Sequence, residues 1–319
     1  MGQFGLRARQ FAEYAVFCTF VGLIRCLSPG QCTLIARGMA WFFHRVLPRK
    51  WTRYEVARQN LKQALAVDGV PCSDAECDRL IGGMWLHLFR LVGEMIHLHR
   101  QLRLERTLEL IEFHQKDVGL RALCSGRPVI MVGGHFGNWE MGISIFGRFG
   151  FPMGVVARDL DNPWLHAWFE NFRQCTGHHT ISKKGGFEAM TEELSRKGCL
   201  ALLADQDAGG SGVFVDFFGK PASTHKSIAL MALEHDALIV VGYATRRQEV
   251  LADGWPRYEV GCEAVFDPRD FAGVEAVREL TAAYTHSLEQ VIRRAPEQYF
   301  WVHRRWKSVP RVRAKRRAA

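Results

Sequence analysis

An α/β domain with a central, mostly parallel sheet flanked by helices is the fold this chain predicts, and three observations carry the prediction. Short apolar runs rich in β-branched residues recur from Pro128 onward, stretches with apolar residues at helical spacing separate them, and Gly, Pro, Asn and Ser fall at the boundaries. Strands interleaved with helices in this way build parallel βαβ units.

Phe11 to Leu27 is apolar except for Glu13 and Arg25, but its charge-free part, Tyr14 to Ile24, is only 11 residues long. Crossing a bilayer takes about 20. A second apolar stretch, Met39 to Leu47, contains His44 and Arg45. A tilted span with snorkelling ends, a monotopic pair of interfacial helices and an amphipathic cover on the domain all fit these residues. Residues 1–50 therefore read as an N-terminal apolar helical membrane anchor or as interfacial helices. Two Lys/Arg precede the apolar stretch (Arg7, Arg9) and six follow closely (Arg45, Arg49, Lys50, Arg53, Arg58, Lys62). If the segment inserts, that asymmetry places the following domain on the cytoplasmic face of the inner (plasma) membrane. No small-x-small cleavage site follows the stretch, which argues against a secretory signal.

Trp51–Val67 and Ala75–His99 read as helices. From Pro128 on, strands are expected at Val129–Val132, Met153–Ala157, Cys199–Ala204, Ala237–Ala244 and Tyr258–Ala264. Helices are expected at Trp139–Phe149, Pro163–Cys175, Phe187–Lys197, Ser227–His235 and Val274–Arg294. With no Pro/Ser-rich linker and no internal repeat, residues 51–310 read as one domain and 311–319 as a basic tail.

The formal net charge is +9, yet eight Lys/Arg lie from Gln298 onward with no acid among them, leaving a nearly neutral remainder. Such a tail suits anionic lipid headgroups or an acidic carrier protein, or is simply solvated. Nucleic acid is not expected as a partner, because no recognised binding module accompanies the tail. Nine cysteines form no C-x-x-C and leave an odd count, so they read as reduced small hydrophobes.

Chemistry concentrates in Val129-Ile-Met-Val-Gly-Gly-His-Phe-Gly-Asn-Trp-Glu140, a buried strand, a glycine turn and the start of a helix. On an ideal helix, positions five apart lie about 140° from each other. His135 and Glu140 can therefore meet only if His135 stays in the turn and Glu140 reaches back to it. That suits a base held in one tautomer by a carboxylate, although a lone His near a lone Glu is more often a surface polar pair.

The segment resembles the H-x4-D/E motif of glycerolipid-type acyltransferases, and in its full form, His-Phe-Gly-Asn-Trp-Glu, it resembles the lipid A late acyltransferases (lauroyl and myristoyl transferases). Further blocks follow in that family's order: Asn60-Leu61, Arg158-Asp-Leu-Asp-Asn-Pro163, Lys183-Lys-Gly-Gly186, Asp205-Gln206, Phe217-Phe-Gly-Lys-Pro221 and Pro296 to Lys307. The resemblance implies a glycerol-3-phosphate acyltransferase-like fold and membrane attachment. It also implies transfer of a fatty acyl chain from an acyl carrier protein or coenzyme A thioester to a hydroxyl of a glycolipid, with a lipid A precursor first and a phosphatidylinositol mannoside next. No cofactor is implied beyond the acyl donor.

In that chemistry His135 is the base and Glu140 its orienting carboxylate. The oxyanion would meet backbone N–H groups around Gly137 and Asn138, or Arg158. Arg158 could instead bind an acceptor phosphate or pair with Asp159 or Asp161. Asn162-Pro163 reads as a helix cap and first turn. Asp205 and Gln206 would hydrogen-bond sugar hydroxyls, support His135, or merely close a turn. Arg304, beside Trp301 and Trp306, suits an anionic headgroup or a packed chain end. The remaining histidines, including the His97-x-His99 pair on a helical pattern, make no metal set. A lipid or thioester hydrolase using the same dyad on water is the competing enzyme class.

Overall fold

A computed structural model describes residues 3–66 and 69–310. In chain order its elements are α1 (Gln3–Arg25), α2 (Pro29–Trp41), α3 (Tyr54–Ala64), α4 (Asp74–Gln101), α5 (Thr107–Leu110), β1 (Ile111–His114), α6 (Lys116–Leu123), β2 (Val129–Gly133), α7 (Trp139–Arg148) and β3 (Gly154–Ala157). There follow α8 (Pro163–Gln174), β4 (His179–Ser182), α9 (Phe187–Ser195), β5 (Cys199–Leu203), β6 (Val213–Phe217), β7 (Lys220–Thr224), α10 (Ser227–His235), β8 (Leu238–Val250), β9 (Pro256–Phe266) and α11 (Ala276–Arg294). The seven-stranded sheet runs β1-β9-β8-β2-β5-β3-β4, and only the β8–β9 pair is antiparallel. The mostly parallel α/β architecture is as the sequence predicts.

Strand β2 is apolar throughout because both its faces are covered. Ile130 and Val132 pack on the side of α9, α10 and α11, with Leu194, Ile228, Leu280 and Leu288. Val129 and Met131 face the other way, with Ala122, Val155 and Cys262. A separate core joins α3 and α4 to the β6–β7 hairpin and the 299–302 segment, through Leu61, Leu80, Ile81, Phe217 and Trp301. In that hairpin Phe218 and Gly219 both have positive φ (56° and 74°), the requirement of a two-residue type I′ turn.

The elements α5, β1, α6, β4 and the β6–β7 hairpin escape the sequence pattern. The edge strands β1 and β4 have four residues each, too few to show a period. The expected helix Trp51–Val67 is shorter, as α3, and Val67 and the basic tail 311–319 lie outside the described residues.

The expected apolar helical membrane anchor needs correction: among the described residues no helix is long and apolar enough to cross a bilayer. Helix α1 has 23 residues but carries Arg7, Arg9, Glu13 and Arg25. It lies instead along α8, with Phe11 against Trp164 and Phe17 against Trp168. It also touches the turn that caps α8: Gln10 Nε2 donates to the Asp161 carbonyl (2.9 Å) and Asn162 Nδ2 to the Gln10 carbonyl (2.7 Å). Asn162 caps α8 by accepting from Trp164 and Leu165 N–H, with Pro163 following, as its sequence predicts.

Candidate active site

Sheet order determines which loops meet. Strands β2, β5, β3 and β4 are consecutive parallel neighbours, so the turns after them, carrying His135, Asp205, Arg158 and Lys183, line one edge of the sheet. Ligands of parallel sheets bind at that edge. The β2–β5 register pairs Gly133 with Leu203, and running it two residues further sets His135 opposite Asp205. His135 Nδ1 lies 2.9 Å from Asp205 Oδ1, and the His135 backbone N–H donates to Asp205 Oδ2 at 2.9 Å. The carboxylate is buried, while the imidazole keeps 24% of its side chain exposed.

Since a carboxylate only accepts, His135 Nδ1 bears a proton, and in the neutral ring Nε2 carries the lone pair. Burial pushes the imidazole pKa down, but the charge and hydrogen bond of Asp205 outweigh it, so the value stands above that of an ordinary histidine. For Asp205, burial raises the pKa and the His135 contacts outweigh that too, holding it below the ordinary carboxylate value. The ring is flanked by Trp139 and Phe300, with centroids at 5.4 and 6.3 Å.

His135 opens onto a cleft of roughly 810 Å³. Ile143, Phe169, Phe187, Met190, Ile228 and Met231 give it apolar walls, and Arg158, Arg173, Lys183 and His225 add polar ones. Gln206 brings its amide nitrogen to 3.5 Å from His135 Nε2. Burial first, then Lys183 and Arg305, hold His225 below the ordinary histidine value.

Three expectations about this site are corrected by the geometry. Glu140 does not reach back to His135; its carboxylate, buried in the first turn of α7, receives Arg173 of α8 at 2.8 and 3.4 Å. The physical reason is the 140° between the two positions together with a guanidinium on the nearer side. The N–H groups of Gly137 and Asn138 are not open to a ligand: they donate to the carbonyls of Gln298 (3.0 Å) and Ala244 (2.7 Å). Arg304 is exposed and does not line the cleft, whereas its neighbour Arg305 turns inward to the Ser223 carbonyl and Thr224 Oγ1. Arg158 does line the cleft, with an 80% exposed side chain and Asp161 at 3.8 Å.

Arg173 and His225 are cleft residues that pattern reading missed, as each is a single basic residue with no motif around it. Asn60 is explained differently from a site residue. Its side-chain amide donates to the carbonyls of Trp301 (2.7 Å) and His303 (2.8 Å), latching α3 to the segment beneath the site.

Residues 5–308 match the family of bacterial lipid A biosynthesis acyltransferases. The chain belongs to that family. It is thus an acyl-transferring enzyme of the lipid A and glycolipid group. Among its relatives is a protein of Mycolicibacterium smegmatis named phosphatidylinositol mannoside acyltransferase, 29% identical over 66% of this chain and 74% of that protein. Two proteins of Escherichia coli K12 are also similar. The lipid A biosynthesis lauroyltransferase is 28% identical over 65% of this chain and 64% of its own length. The palmitoleoyltransferase is 27% identical over 60% of this chain and 59% of its own length. Against these E. coli relatives the chain thus spans less than two thirds of their length.

Proposed function

We propose that this enzyme moves a fatty acyl chain from an acyl carrier protein or coenzyme A thioester to a hydroxyl of a glycolipid, with a lipid A precursor as the acceptor. The observation that carries the reading is the His135 imidazole, with Nδ1 on the buried Asp205 carboxylate, at the wall of an apolar cleft with cations on its rim. His135 takes the acceptor's hydroxyl proton as its oxygen attacks the thioester carbonyl. The oxyanion forms beside the Gln206 amide. Its collapse breaks the C–S bond, and the imidazolium returns the proton to the departing thiolate. No covalent acyl-enzyme is needed. The apolar walls would take the acyl chain, and Arg158 and Lys183 an anionic part of donor or acceptor. Glu140 and Arg173 hold α7 against α8 and so shape the cleft beside the base.

The same proposal places the work at a membrane surface, on the cytoplasmic face of the inner membrane. Helices α1 and α2 expose Phe4, Phe11, Val16, Leu23, Leu34 and Trp41, and α1 contacts the turn next to Arg158. Apolar side chains among arginines suit an anionic lipid surface. A phosphatidylinositol mannoside acceptor is the second reading, favoured by the name of the mycolicibacterial relative. Membranes containing the protein, given labelled lauroyl-carrier protein and a tetra-acylated lipid A precursor, should acylate the acceptor, and His135→Ala should abolish this. Transfer only to a mannosylated lipid would select the second acceptor, and transfer only from lauroyl-coenzyme A the other donor. Acceptor-independent release of free acid that is lost with His135 would make the enzyme a hydrolase.

A further inference from the structure

Behind the His135 turn lies a buried polar network that touches no part of the cleft: His87 and Glu94 on α4, Arg246 on β8, Asn138 and Gln298. Within the turn, the His135 carbonyl accepts from Phe300 N–H (3.1 Å) and Gly137 N–H donates to the Gln298 carbonyl. The Gly137–Asn138 peptide is gripped at both ends. His87 Nε2 lies 3.1 Å from the Gly137 carbonyl, and Asn138 N–H donates to Ala244 O on the opposite side. Gly137 has φ of +58°, and a Cβ there would stand 2.0 Å from Ala244 O, so the peptide already lies against β8 as closely as a backbone can.

His87 has one tautomer that fits. A carbonyl only accepts, so Nε2 carries the proton, and Nδ1 accepts from Arg246 Nη1 at 3.0 Å. Burial first, and Arg246 second, hold this imidazole neutral. Arg246 is fixed in turn by both oxygens of Glu94 (2.5 and 2.8 Å) and, through its backbone N–H and carbonyl, by the Gln298 amide (2.9 Å each). Glu94 lies two turns beyond His87 on one helix face and also receives Asn138 Nδ2 at 3.3 Å. His87, Glu94 and Arg246 are 3, 5 and 9% exposed. A buried ion pair is seldom more stabilising than apolar packing of the same volume, so stability alone does not account for this one. Its geometric effect is to fix one peptide, two residues from the base.

We propose that His87, held by the Glu94–Arg246 pair, is a positioning residue: through the Gly137 carbonyl it sets the place of the His135 imidazole opposite Asp205. The proposal rests on His135 being the base of the acyl transfer. His87→Gln keeps an N–H donor toward Gly137 and an acceptor toward Arg246, whereas His87→Leu fills the space with neither. Two readouts are taken on each protein: kcat and KM for lauroyl-carrier protein, and the NMR resonance of the His135 Nδ1 proton. The leucine variant is expected to lose on the order of 10–10² in kcat with KM within about 2-fold, the cost of an ångström-scale misplacement. Its Nδ1 resonance is expected to shift or vanish, and the glutamine variant to keep both within about 3-fold of wild type.

Wild-type kcat and an unmoved Nδ1 resonance in His87→Leu would overturn the proposal, and so would a rise in KM alone. Equal losses in both variants that track the folded fraction by circular dichroism would overturn it as well. If the leucine variant does not fold, His87→Ala takes its place. Failure of both to fold would make His87 a folding residue and end the proposal. Absence of transfer by wild type, or its survival in His135→Ala, would sink the acyl-transfer reading instead, and the Nδ1 resonance would still report whether His87 holds the imidazole.

Discussion

Replacing Asp205 by Asn removes one charge from the site and little volume. In the proposed reaction His135 becomes an imidazolium 2.9 Å (N to O) from that carboxylate, which is buried. For unit charges about 4 Å apart at an effective dielectric of about 20, the lost attraction is about 4 kcal/mol. At about 1.4 kcal/mol per decade this is roughly 10³ in kcat. The pH dependence gives an independent sign. The base works when neutral, so kcat rises with pH through the imidazole pKa, which Asp205 holds above the ordinary histidine value. Without Asp205, burial dominates, and the acid limb should move to lower pH even as the plateau falls. Glu140→Gln perturbs a different pair. It leaves the Arg173 guanidinium, 16% exposed, without its partner, at a cost of up to about 3–5 kcal/mol in stability. The limb should then stay where it is. Steady-state transfer from pH 5 to 9, beside thermal unfolding of each variant, separates the two. An unmoved limb in Asp205→Asn together with a displaced limb in Glu140→Gln would refute the assignment and return the orienting role to Glu140.

Other perturbations follow from the same geometry. Gly137→Ala puts a Cβ into Ala244 O at a left-handed φ, and should cost at least about 2 kcal/mol in chemical denaturation or fail to fold. Asn162→Ala removes the cap of α8 and the bond to the Gln10 carbonyl, and should lower stability by about 1 kcal/mol. The membrane attachment proposed for α1 should loosen with it, which vesicle flotation reads. Asp267, hydrogen-bonded to Arg127, has its pKa lowered to about 2. A depressed carboxylate contributes stability above its unfolded pKa and loses it as pH falls. The difference between wild type and Arg127→Met in urea melts should therefore be constant near neutrality and shrink between about pH 4 and 2.

Local signals in the sequence were enough for the five inner strands, the helices from α7 to α11 and the edge at which His135, Arg158 and Asp205 gather, because each strand there is a compact apolar run ended by a turn. Non-local choices were not legible. Glu140 is five residues from His135 in sequence, and Asp205 is seventy, yet strand order brings Asp205 to hydrogen-bonding distance and turns Glu140 to α8. The N–H groups of Gly137 and Asn138 look available in the sequence, and only the approach of β8 and Gln298 occupies them. Arg304 and Arg305 are indistinguishable in a basic run, and packing against Thr224 and Ser223 decides which one is buried. For His87 and Glu94 a signal did exist: two polar residues seven apart on the apolar face of α4.

The H-x4-E spacing therefore marks the segment without describing the pair. Its histidine belongs to the turn, where the β2–β5 register assigns it Asp205. Its glutamate belongs to the helix, where it joins α7 to α8 along the cleft. A spacing that serves two contacts at once explains why neither residue is free to shift by one position. Moving Glu140 to 139 or 141 would turn it about 100° around α7, away from Arg173. Moving His135 by one along an extended segment would point it to the opposite face of the sheet, away from Asp205.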